Sequence, residues 1–145
     1  MSTLEGNKET VRKVFEESLN KKNLELLVDL FSADFVGTQG QKGPDGFRTP
    51  IEPLLNAVPD IHYIIKDLIA EDDKVVIRWT WLGTQTFAFR NNPATGKAIS
   101  NEGMAVFVLK EGKIVSANIQ TDRLGFLQAV GALPADITAP AAPTR

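Results

Sequence analysis

Apolar positions recur every three to four residues between residues 8 and 31, and about every second residue from residue 59 to residue 121. That change of period predicts helices first and strands afterwards. Asn7 can cap a first helix, along which Val11, Val14, Phe15, Ser18 and Leu19 share one face while Lys8, Glu9, Arg12, Lys13 and Glu16 fill the other. The pattern breaks from Asn20 to Asn23. Asn23 can cap a second helix with Leu24, Leu27, Val28 and Phe31 as its stripe, so the pair reads as an αα-hairpin. Asp34 to Val36 is a short extended piece, and the glycines and proline between residues 40 and 46 mark a loop. Thr49-Pro50-Ile51-Glu52 has the form of a capping box with proline at the first helical position. Pro53 lacks the N–H that the first intrahelical bond needs and crowds the preceding turn, so only a short, irregular helix around Leu54 and Leu55 is predicted.

The strands are better marked. Ile61 to Glu71 is one, Asp72-Asp73 a turn, and Lys74 to Gly83 a second, rich in β-branched and aromatic residues. Thr84 to Arg90 either continues it or bends into another strand, and NNPATGK is a loop. Ala98 to Lys110 is a long strand, Glu111-Gly112 a hairpin turn, and Ile114 to Thr121 the last strand. Asp122 then caps a closing helix on which Leu124, Leu127 and Gln128 fall at helical spacing before Gly131 ends it. Helices segregated from a meandering sheet mean an α+β fold. From Pro134 the chain is rich in Pro and Ala with no periodicity, and order there requires a surface to hold it, such as a partner subunit.

Composition narrows the chemistry. With 145 residues, 43% of them hydrophobic, the chain suits one globular domain. Its 16 basic and 18 acidic residues are not clustered, which argues against a nucleic-acid or membrane-surface partner. There is no run of 18 apolar residues, and the first residues show neither a basic start nor an apolar core of a secretory signal. The absence of Cys excludes disulfides, thiolate nucleophiles and cysteine metal sites, and fits a cytoplasmic protein. A single His, His62, argues against a histidine zinc site and most Ser-His catalysis; it alternates with Ile61 and Tyr63 and is given no role.

Several segments carry a resemblance. The last strand follows GKI and leads into D-x-L-G-x-L-x-x-x-G over Asp122 to Gly131. GPDGF near residue 43, VPDIHYIIKDLIAEDDKVVIRWTWLGT from Val58 and the NNPATGK loop occur in the matching order. Together they resemble the SnoaL-like polyketide cyclases of the NTF2-like superfamily over residues 7 to 131, leaving 132 to 145 as a tail. The resemblance implies a cone in which a curved, mostly antiparallel sheet wraps over three N-terminal helices, with a short closing helix and a pocket between helices and sheet. It also implies a homodimer through the sheet, no metal or organic cofactor, and an aldol-type ring closure by general acid–base catalysis. The family's catalytic Asp, supporting His and supporting Asn fall on Ile119, Ala105 and Gly37, and its further histidines on Gln85 and Ala117. None of those groups is present.

Two carboxylates could replace them. Asp122 is either an acid/base at the pocket rim or the cap of the closing helix, and alternation puts it on the opposite face from Ile119. Glu102, inside the long strand, is either a buried base or an ion-pair partner of Arg78, the more favoured reading. Trp79, Trp81 and Gln85 share a face and either wall a ligand pocket or pack the core and a dimer surface. Asn101 shares the face of Ala105 and can bond a ligand. The expected walls are Val11, Phe15, Phe35, Leu54, Leu55, Ala105, Phe107 and Ile119. Two readings follow: a cofactor-free cyclase or isomerase of an apolar carbonyl compound, using Asp122 or Glu102, and a protein that binds a small apolar molecule without turning it over. A weaker third, water activation of the epoxide-hydrolase kind, needs Asp67, Arg78 and Asp122 to converge.

Overall fold

The computed structural model describes residues 3 to 138. Helix α1 (Leu4–Lys13) continues through a π-helical turn, Val14–Leu19, where Asn20 N–H reaches back to the Phe15 carbonyl at 2.9 Å. Its cap is Thr3, whose hydroxyl accepts from Gly6 N–H, and not Asn7. The Thr3 hydroxyl satisfies the first turn, so Asn7 lies within the helix and is buried. The predicted stripe from Val11 to Leu19 is buried throughout. Asn20 then ties the helix end to the sheet: its Oδ1 accepts from Tyr63 N–H at 2.7 Å and its Nδ2 donates to the Tyr63 carbonyl at 2.9 Å.

A 3₁₀ turn, Leu24–Leu26, leads into the short helix α2 (Leu27–Leu30). The tighter turn shifts the phase of the stripe, so Leu27, Leu30 and Phe31 are buried while Val28 is exposed. Helix α3 (Asp45–Ala57) is longer than predicted and contains both Pro50 and Pro53. Pro50 has no N–H to offer the Gly46 carbonyl four residues earlier. That carbonyl instead faces Gly37, where a Cβ would lie only 1.9 Å away. Gly37, with no side chain, lets the first turn of α3 approach this closely.

Four antiparallel strands, β1 (His62–Glu71), β2 (Lys74–Thr84), β3 (Ala98–Lys110) and β4 (Lys113–Thr121), form one sheet in the order β1-β2-β3-β4. Residues 85 to 90 add no further strand; they begin a loop, closed by Gly96 N–H on the Gln85 carbonyl and Gln85 N–H on the Lys97 carbonyl. The extended piece around Phe35 contributes only isolated bridges, Val36 with Lys42, and Phe31 lies parallel to Ile114. The sheet is open and curved, and the helices pack on one face. Phe15 sits at the centre of that face, with ring centroids 4.9 Å from Trp79, 5.5 Å from Tyr63 and 6.3 Å from Phe107.

Helix α3 spans this face and is fastened near its ends. Phe47 stacks on Phe31, beside the start of β4, and Ala57 accepts from the backbone of Thr86 and Phe87, just past β2. Between these anchors Ile51 and Leu54 are only partly buried, and α3 makes no broad backbone contact with any strand. Helix α4 (Arg123–Ala129) closes the fold. Of the predicted tail, residues 132 to 138 follow α4, where Gln128 Nε2 donates to the carbonyls of Pro134 and Ala135. Residues 139 to 145 lie outside the described residues.

Candidate ligand site on the concave face

Strand register sets which side chains share the helix-covered, concave face. Its rows are Val75–Phe107–Ala117, Ile77–Ala105–Ile119, Trp79–Gly103–Thr121 and Trp81–Asn101. Phe15, Phe35, Trp79, Trp81, Ala105 and Phe107 are buried there or in the helical layer above. Phe35 packs edge-on against Phe31 at 4.9 Å, and Trp81 against Phe126 of α4 at 6.2 Å. Ile119 is 39% exposed although its row faces the helices. The helical cover is therefore incomplete over the far half of β4, beside a helix α3 held mainly at its ends. Ala117 and Ile119 make this uncovered part, with the buried Ala105 beside them, a floor without ionisable groups.

The polar side chains of the face are mostly engaged. Asn101 Nδ2 donates to the Asp122 carbonyl at 2.8 Å. Gln85 is fully buried; its Nε2 donates to the Pro93 carbonyl at 3.1 Å, and its Oε1 has no partner among the described residues. Gln85 thus fastens the β2–β3 loop from within. Burial pushes the Tyr63 phenol far above its ordinary pKa, so it stays protonated.

Neither candidate carboxylate lies on the concave floor. Asp122 caps α4, its Oδ1 accepting from Gly125 N–H at 2.8 Å, and its own N–H donates to the Glu102 carbonyl. Glu102 is exposed on the convex face, opposite Thr80. The expected pairing of Glu102 with Arg78 does not form. Arg78 donates to Asp67 at 2.6 Å, because a β-bulge between Ile65 and Asp67 brings Asp67 opposite it. Arg78, Glu102 and Asp122 border one shallow convex groove of about 250 Å³, on the far side of the sheet from Phe15.

A larger open groove of about 610 Å³ runs between the π-helical turn and β1, bordered by Arg12, Glu16, Asn20, Lys21 and His62 among others. Sequence reasoning missed it. The broken helical pattern at Asn20 was its one signal, since the amide that ends the helix also grips the edge strand. Nearby, Asp60 accepts from Thr84 N–H at 2.7 Å and from the Thr84 hydroxyl at 2.9 Å, which hold its carboxyl below the usual range. Burial lowers the Lys22 pKa, opposed by the charge of Asp60. Among the described residues no three His, Asp or Glu side chains gather as a metal-binding group, and no helix is long and apolar enough to cross a membrane.

A four-stranded antiparallel meander curved around N-terminal helices, with an apolar inner face, defines an α+β cone of the NTF2-like fold. The chain belongs to the family of SnoaL-like polyketide cyclases, whose family model matches residues 9–130. Among solved structures it is similar to TsrD from Streptomyces laurentii, at 22% identity and a TM-score of 0.82 over 92% of this chain and 100% of that one. It is similar to a candidate SnoaL-like polyketide cyclase from Jannaschia sp. CCS1, at 21% identity and a TM-score of 0.79 over 92% and 98% of the two chains. A candidate polyketide cyclase from Acidithiobacillus ferrooxidans gives 25% identity and a TM-score of 0.78 over 90% and 97%. No curated protein sequence gives a match.

Proposed function

We propose that this chain is a small-molecule binding protein on the SnoaL-like fold, taking one apolar ligand between α3 and the β3–β4 half of the concave face. The placement of the two carboxylates carries this reading. Asp122 is engaged in a helix cap and Glu102 stands on the convex face, while Ala105, Ala117 and Ile119 make the floor. Phe15, Trp79 and Phe107 form its inner wall, and Phe35, Trp81, Gln85 and Asn101 hold the surrounding frame. Burial of apolar ligand surface, worth about 25 cal/mol per Å², supplies the affinity.

A thermal-shift screen of flat apolar compounds tests the reading. A ligand at about 100 times its Kd adds about 2.7 kcal/mol. For this chain length that is a Tm rise of about 9 °C. If no compound in such a panel raises Tm, the binding reading is discarded.

Family membership favours a second reading, a cofactor-free cyclase or isomerase acting on an apolar carbonyl compound by general acid–base catalysis. It requires Asp122 to leave its cap and reach the cleft. Turnover of an aldol-competent diketone, followed by NMR, would support it if replacing Asp122 with Asn abolished that turnover. A homodimer through the convex face accompanies either reading. Ile64, Ile69, Leu82 and Met104 are exposed there, and single large apolar groups gathered on one sheet face favour a second surface over water. Sedimentation equilibrium that returns only the monomer mass would rule the dimer out.

A further inference from the structure

The apolar floor lacks a group to orient a ligand, and Trp79 is placed to supply one. The indole is 4% exposed and packs on Phe15 through its ring face. Its edge lies over Gly103 on the neighbouring strand: a Cβ there would stand 2.3 Å from Cζ2 and 2.9 Å from Nε1. Only a glycine admits the ring in this position. Across the sheet from Gly103 is Thr121, and Ile119 lies in the next row, both exposed, so the N–H edge borders the uncovered end of β4. This N–H donates to no partner among the described residues, yet it is not sealed from solvent. A buried indole normally has a partner for its N–H. The amide donors of Asn101 and Gln85 on the same face are already taken by backbone carbonyls.

We propose that Trp79 Nε1–H is the orienting donor of the cleft, and that it selects neutral ligands bearing a ketone or quinone carbonyl over hydrocarbons and carboxylates of the same shape. A carboxylate is disfavoured because the floor carries no cation to pair it: Arg78 is on the other side of the sheet, and Arg48 of α3 is already paired with Glu52. Gly103 is a positioning residue, required for the indole to lie where it does. The proposal rests on the ligand-binding reading above.

The full chain has two Trp residues, so its ¹⁵N-labelled form should give two indole N–H resonances, which Trp79→Phe assigns. The probes are α-tetralone, tetralin and tetralin-1-carboxylate, which share one bicyclic skeleton. Tetralone should move the Trp79 indole proton downfield and bind about fivefold more tightly than tetralin, the factor one net hydrogen bond supplies. Tetralin should bind without that downfield movement, and the carboxylate most weakly. Trp79→Phe should bring tetralone and tetralin to equal affinity; if that variant does not fold, the wild-type resonance shift and affinity ratio decide alone. Equal affinities in the wild type, movement of the Trp81 resonance alone, or tightest binding by the carboxylate overturn the proposal and leave the binding reading standing. Binding by none of the three probes removes both.

Discussion

Replacing Asp122 separates its structural task from any chemical one. The carboxylate Oδ1 accepts one hydrogen bond, from Gly125 N–H at 2.8 Å. The other contacts of this residue are made by its backbone, N–H to the Glu102 carbonyl and C=O from Asn101 Nδ2, and survive any substitution that preserves the chain path. Asp122→Ala therefore removes one cap, at a cost of about 1 kcal/mol. With an unfolding entropy of about 2.1 cal/mol/K per residue, that is a Tm drop of about 3 °C for this chain. Asp122→Asn keeps a side-chain acceptor of equal capping rank and should fall within a few tenths of a kcal/mol of wild type. Thermal unfolding by circular dichroism measures both, and ligand affinity measured alongside should stay the same in the two variants. Asn as destabilising as Ala would refute the cap. Asn with native Tm but abolished turnover of any substrate would refute the binding reading and make Asp122 an acid/base.

Three further outcomes follow from the packing. Gly37→Ala should lower stability by about 1 to 3 kcal/mol, read from denaturant unfolding, because the new Cβ meets the Gly46 backbone carbonyl, which cannot rotate away; an unchanged midpoint would mean that α3 shifts freely. Ser18→Ala should raise stability by about 1 kcal/mol, since the fully buried hydroxyl has no partner among the described residues; a loss would point to a hydrogen bond through water. Asp60→Ala should loosen the join between β1 and the end of β2 at neutral pH and have no effect in acid. The folded carboxyl is held below its ordinary pKa of 3.8, so its contribution is present above that value and fades as pH falls through the folded value. A wild-type-minus-variant difference that does not shrink as the pH is lowered would contradict this.

The sheet was legible because its signals are local. Alternation fixes the face of each residue, and Asp72-Asp73 and Glu111-Gly112 fix the two tight turns, so β1 to β4 lie within a residue or two of their predicted bounds. The same alternation put Trp79, Trp81, Gln85, Asn101 and Ala105 on one face. It could not say which of them border open space, because that depends on how far α3 stands from the sheet. The Glu102–Arg78 pairing failed for a related reason. A bulge after Ile65 changes the parity of β1 and brings Asp67 to Arg78, and nothing in the run of residues around Lys66 marks it. Pro53 was read as a cost and Pro50 as a helix start, yet α3 begins at Asp45 and runs through both.

The contact of Gly37 with Gly46 bears on the site itself. At Gly37, where the resemblance puts the family's supporting Asn, the Gly46 carbonyl leaves no room for any side chain. The carbonyl faces Gly37 in a helix where Pro50 cannot supply its usual N–H. Ile119 and Ala105 are cross-strand partners, so the two remaining replacements sit side by side on the floor. A carboxylate restored at residue 119 alone would stand beside Ala105 and Ile77 with no neighbouring His or Asn to hold it charged. Without those partners nothing there orients the carboxylate toward a substrate proton or tunes its pKa to the task. Ala105, Ala117 and Ile119 thus leave the floor apolar, and in the proposed reading the Trp79 indole N–H is the donor left to orient a ligand on it.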